Sequence, residues 1–168
     1  MSVIKRIFAE IRCSDKKYIV LCSALALFLG ALSAFFGGNS IMYNHLDLPR
    51  SSPPRFIFVL TWTIMFLLLG ASAGMIFQKR EKSLCIYKYK TLTFFSLNFC
   101  LDLVWYPLFF GARAFFLSTV LSLAISVSAF FMLFYSKRIS VTVFTAFFLY
   151  FVWILYSFIL NFVLYLWN

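Results

Sequence analysis

The chain has 168 residues, of which 64% are hydrophobic and 22% aromatic, against only 12% charged. A soluble domain carries about 25% charged residues, so 24 phenylalanines in so short a chain have to face lipid as well as a core. The net charge of +10 does not mark a nucleic-acid binder, because the basic residues fall in short blocks between apolar runs, where they set topology and meet anionic headgroups.

Five segments are long enough to cross a bilayer as helices, at about 18–38, 56–77, 91–111, 114–135 and 139–167. Their polarity does not alternate as it would in barrel strands. The expected fold is therefore an all-α integral membrane protein, one domain over 1–168, built as a five-transmembrane-helix bundle with a long, proline-containing first loop.

The first segment, YIVLCSALALFLGALSAFFGG, is too long for the core of a signal peptide, and no small-residue cleavage site follows it. Gly30 and Ala34 in it form a small-xxx-small pair. Loop 39–55 holds LDLPRSSPPR, where Pro49, Pro53 and Pro54 fix φ and remove backbone donors. Arg50 and Arg55 suit a membrane surface. In the second segment Trp62, Phe66 and Gly70 share a face. Gly70 and Gly74 make a GxxxG that serves either packing inside the bundle or a homodimer seam.

The third segment, TLTFFSLNFCLDLVWYPLFFG, holds Asp102 near its middle, where a charged carboxylate costs about 2.5–3.5 kcal/mol. Asn98, Asp102 and Trp105 fall at i, i+4 and i+7 on one face. Two readings stay open: the wall of a pocket, or an interhelical hydrogen bond made by a protonated Asp102. The fifth segment repeats the pattern with Trp153, Ser157 and Asn161. Indoles deep in a membrane beside polar groups suggest a cavity for a flat aromatic ligand.

The basic residues fix an expected orientation. Twelve lie in the N-terminus, loop 78–90 and turn 136–138, and three (Arg50, Arg55 and Arg113) on the other side. The positive-inside rule then places the N-terminus in the cytoplasm and the C-terminus outside, in a bacterial plasma membrane. No GxSxG, HExxH, Walker A or GxGxxG occurs, and Asp102 is the one acidic residue inside a segment, so no carboxylate pair runs acid–base chemistry. A lone histidine, His45, and four cysteines without CxxC spacing argue against a metal site, and no cofactor is required. The stretches LCIYKYK (84–90) and LFYSK (133–137) fit the loose cholesterol pattern, which matches often by chance.

These blocks together resemble the TspO/MBR family of translocator and tryptophan-rich sensory proteins. MYNHLDLPRSSPPRFIFVLTWTIMFLLLG (42–70) carries the family's first block through Tyr43, Leu46, Pro49, Pro53, Pro54, Phe58, Trp62 and Gly70, with Met42 where the family has Trp. NFCLDLVWYPLFFGAR (98–113) echoes the second through Trp105, Pro107, Phe109, Phe110, Gly111 and Arg113, with Asn98 and Asp102 at the family's Gln and Asn. LYFVWILYSFILNFVLYLWN (149–168) echoes the third through Tyr150, Trp153, Leu160, Asn161 and Asn168. The resemblance implies a bundle, often dimeric, that binds porphyrins such as protoporphyrin IX and haem, closed by the first loop. It further implies ligand contacts at Tyr43, Pro49, Pro53, Trp62, Phe66, Asn98, Asp102, Trp105, Trp153, Ser157 and Asn161. The family's cholesterol motif needs a basic residue at the end of the fifth helix, and FVLYLWN has none. Two alternatives stand beside a receptor: light- and oxygen-dependent porphyrin degradation using Trp62 and Trp153, and transport of porphyrins or other small hydrophobic molecules.

Overall fold

The computed structural model describes residues 3–37, 49, 52–79 and 81–167. Tyr43 and most of the proline loop lie outside these. Among the described residues every regular element is helical: α1 (Val3–Cys13), α2 (Lys16–Phe36), α3 (Arg55–Gln78), α4 (Cys85–Tyr106), α5 (Phe115–Ser136) and α6 (Val141–Trp167). A 3-10 turn spans Lys82–Leu84, and a π-helical turn spans Pro107–Gly111. Helices α2 and α3, α4 with its flanking turns, α5 and α6 are each long and apolar enough to cross a membrane, which is the five-span architecture the hydropathy called for. The protein is an integral, multi-pass membrane protein.

The five helices close into a ring. α2 packs along α3, α3 meets α6, α6 packs along α5, α5 along α4, and α4 returns to α2 by a lighter contact. The α2–α3 seam depends on glycine. A Cβ on Gly70 would stand 2.5 Å from the Cys22 carbonyl oxygen, and one on Gly74 would stand 2.6 Å from that of Tyr18. The GxxxG therefore faces α2 of the same chain, and of its two readings the intrachain one holds. α5 approaches α4 and α6 through buried Ser118, Ser122, Ser126, Ser128 and Ser136, small residues that let helix backbones come close. Outside the ring, Val20, Leu21, Leu25 and Phe28 of α2 are each more than half exposed, as side chains bathed in lipid should be.

One end of the bundle is held by polar ties. Asp15 caps α2 by accepting from Lys17 N (2.9 Å), and its own backbone N donates to Gln78 Oε1 at the end of α3 (2.6 Å). Lys88 reaches back from α4 to donate to the carbonyls of Phe77 and Lys79, closing the open end of α3 (both 2.9 Å). Lys90 lies over the Tyr135 ring.

Two departures from the sequence reading occur at this end. α4 starts at Cys85 rather than near 91, so the last part of the loop expected over 78–90 is the beginning of α4. Lys88 and Lys90 hide that helix in the sequence, their amines reaching the carbonyls at the end of α3 and the Tyr135 ring. α1 was not expected. It turns at Ser14–Asp15 away from α2 and crosses to the start of α6, where Glu10 accepts from Ser140 Oγ (2.5 Å), Thr142 N (3.0 Å) and Thr142 Oγ1 (2.7 Å). A carboxylate borrowed from α1 thus satisfies the open N–H groups of α6.

Candidate functional site

A cavity of about 430 Å³ lies between α2, α3 and α4. Small residues on α2 make the room: Gly30, Ala31, Ser33 and Ala34 leave a trough where larger side chains would meet α3. Gly30 is needed even so, since a Cβ there would lie 3.0 Å from the Phe66 ring. The opposite wall is aromatic, with Phe58, Trp62 and Phe66 from α3 and Trp105 and Tyr106 from α4. Asp102 contributes a carboxyl, and Arg55, at the first turn of α3, a guanidinium.

Three indoles from three helices converge behind this wall. Trp62 and Trp105 stack with ring centres 5.9 Å apart and planes 19° from parallel, and Trp153 of α6 meets Trp62 edge-on at 6.3 Å. Phe58 touches all three, at 6.3, 6.5 and 6.2 Å. Such offset and edge-to-face pairs follow the quadrupole of the rings. The indole N–H groups of Trp62, Trp105 and Trp153 are buried and make no hydrogen bond within the chain, and neither does Asp102 Oδ1. An unpaired buried group costs about 1–3 kcal/mol. Three unpaired indole donors and one unpaired carboxyl oxygen are thus buried in this part of the bundle.

The other side of Asp102 is spoken for. Tyr150 Oη of α6 donates into a pair of acceptors, Asn98 Oδ1 at 2.7 Å and Asp102 Oδ2 at 2.5 Å. Asn98 cannot turn over, because its Nδ2 donates to Ile125 O (2.9 Å) and Ser128 Oγ (2.8 Å) on α5. A phenol carries a single proton for those two acceptors. The count closes when the carboxyl carries a proton of its own and donates to Tyr150, which donates to Asn98, which donates to α5. The network joins α4, α5 and α6.

The residues singled out from the sequence separate into groups. Trp62, Phe66, Asp102 and Trp105 line the cavity together. Asn98 is wholly buried and bonded to α5 and α6, and does not line the cavity. Trp153 stands behind the wall against Trp62 and Phe58. Ser157 and Asn161 border only narrow gaps of about 10 Å³ on the α6 side of the indoles. There Asn161 Nδ2 bonds the Ser157 carbonyl (2.8 Å), and its own carbonyl accepts from Thr119 Oγ1 (3.2 Å). Pro49 accepts from Ser52 N in a turn before α3, and Pro53 is half-buried at the entry to that helix. Tyr43 lies outside the described residues. Sequence reasoning passed over the trough of α2, together with Arg55, Phe58 and Tyr106. The Gly30/Ala34 pair was the available signal for the trough, and it was read as packing.

Comparison with known proteins adds three findings. The model of the TspO/MBR family matches residues 19–167, nearly the whole chain. A tryptophan-rich sensory protein of Cereibacter sphaeroides is 28% identical over 71 residues, which is 42% of this chain and 41% of that protein. Protein CrtK of Rhodobacter capsulatus is 27% identical over 95 residues, or 56% of this chain and 54% of that protein. The matched stretches thus span about half the length of these curated relatives.

Proposed function

The chain belongs to the TspO/MBR family, and on that footing we propose that it is a membrane receptor for a porphyrin, protoporphyrin IX or haem, or a similar flat hydrophobic molecule, held in the cavity between α2, α3 and α4. The observation that carries this reading is the stacked Trp62–Trp105 pair on the aromatic side of a cavity that Asp102 also lines. A planar macrocycle stacks on such a wall, and the volume falls within the roughly 300–1,000 Å³ usual for ligand sites. Arg55 at the mouth suits a carboxylate substituent, with the ring sunk beneath it.

The test is a porphyrin titration followed by tryptophan fluorescence in the dark. Saturable quenching that is lost in Trp105→Ala with the helical content unchanged is the expected result. Quenching that never saturates, or that survives in Trp105→Ala, overturns the reading. One observation favours a second reading, light- and oxygen-dependent breakdown of the ligand: Trp62 and Trp153 are in ring contact, a path for an electron or hydrogen atom between them. Illumination under oxygen would then give a new absorbing product, absent in Trp62→Phe and Trp153→Phe.

A further inference from the structure

α1, at 11 residues, is too short to cross a bilayer, and while Ile7 is half-buried its other large apolar side chains are exposed. Ile4, Phe8 and Ile11 are 65%, 69% and 41% exposed, and their spacing of four and three residues sets them on one face. Lys5 and Arg12, seven residues apart, run along the edge of that face. The helix is not a loose arm. Between the turn at Ser14–Asp15 and the bonds from Glu10 to the first residues of α6, it is stretched across the end of the bundle. A helix lying in that plane with an exposed apolar face continues the lipid-facing belt of the spans around the corner of the molecule.

Charge decides what covers it. Lys16 and Lys17 sit in the first turn of α2, where the helix dipole disfavours cations, and Lys79, Lys82, Lys137 and Arg138 stand at the same end of the bundle. Of the three acidic residues at this end, Glu10 is engaged by α6 and Asp15 by the cap of α2, and Glu81, between Lys79 and Lys82, leaves the end strongly positive. Phosphates of lipid headgroups would balance these charges.

We propose that α1 is an in-plane anchor that binds an anionic leaflet, with Ile4, Phe8 and Ile11 sunk toward the acyl chains and Arg12, Lys16 and Lys17 against lipid phosphates. Its role is separate from the cavity and does not depend on the ligand.

The full chain is reconstituted in nanodiscs of phosphatidylcholine alone or with phosphatidylglycerol, and amide hydrogen exchange is followed over residues 3–13. Exchange there slows on adding the anionic lipid, by about fivefold for each cation engaged. Arg12→Gln with Lys16→Gln removes most of that difference, and Phe8→Glu speeds exchange in both nanodiscs, while α3–α6 stay as protected as before. Equal exchange of the wild type in the two nanodiscs overturns the proposal. So does a lipid effect that the paired substitutions leave intact.

Discussion

The Tyr150 hydroxyl of α6 sits 2.5 Å from the Asp102 carboxyl of α4, and this contact joins the ligand cavity to the interior of the bundle. Tyr150 is wholly buried and serves Asn98 as well, so removing its oxygen strands the Asn98 acceptor and the Asp102 donor at once. Tyr150→Phe should destabilise the fold by about 1–3 kcal/mol, read as a lowered denaturation midpoint in detergent. Asp102→Asn should cost less, because an amide N–H can donate to Tyr150 as a protonated carboxyl does. A harmless Tyr150→Phe, or an Asp102→Asn that unfolds the protein, would contradict the hydrogen-bond count.

Gly70→Ala puts a methyl group 2.5 Å from backbone, which no rotamer change can relieve. Separation of α2 from α3 should cost about 1–3 kcal/mol and lower the thermal midpoint of the single chain. A variant that instead lost only self-association, with its unfolding unchanged, would place this seam between chains.

Ala34→Phe directs a ring into the trough of α2 without touching the aromatic wall. It should abolish saturable porphyrin quenching while leaving the unfolding midpoint within about 1 kcal/mol of wild type, since the space it fills is open. Unchanged binding would move the ligand elsewhere.

Glu10 gives the docking of α1 a pH dependence with a defined sign. Partial burial pushes its carboxyl up, but hydrogen bonds from Ser140, from Thr142 and from the backbone of Thr142 and Val141 together outweigh this and hold it below its ordinary 4.5. A carboxyl lowered on folding contributes fully above its unfolded value and loses that contribution as pH falls through the lowered one. Docking of α1 on α6 should therefore be constant at neutral pH and weaken below about 4.5. Glu10→Gln should show the weakened state at every pH, measured as faster exchange of the first α6 amides.

The five spans were legible because each needs some twenty apolar residues and nothing else in a chain this size looks like that. α1 was not, since it is half the length of a span and basic residues interrupt its apolar ones along the sequence. The aromatic side of the cavity was legible too: Trp62, Phe66, Asp102 and Trp105 stand out as indole, ring and carboxyl deep in the membrane. Asn98 shows the limit of that argument. It shares a face with Asp102 by spacing, yet one turn along α4 that face has passed from the cavity to the α5 boundary. The trough of α2 was hidden for another reason. A small residue records only that something is close or that space is left, and which helix stands opposite is a fact of tertiary packing.

Ala31 and Val59 line the cavity and are exposed. For a hydrophobic guest that reaches the cavity from the bilayer, the route would run past them, between α2 and α3, without passing through water. The free ligand that counts in its equilibrium is then the fraction dissolved in the bilayer. Apparent dissociation constants will scale with the amount of lipid or detergent in the assay, and guests will be ranked partly by how well they partition rather than by fit alone. Titrations repeated at several lipid-to-protein ratios and extrapolated to a common mole fraction in the membrane would separate the two.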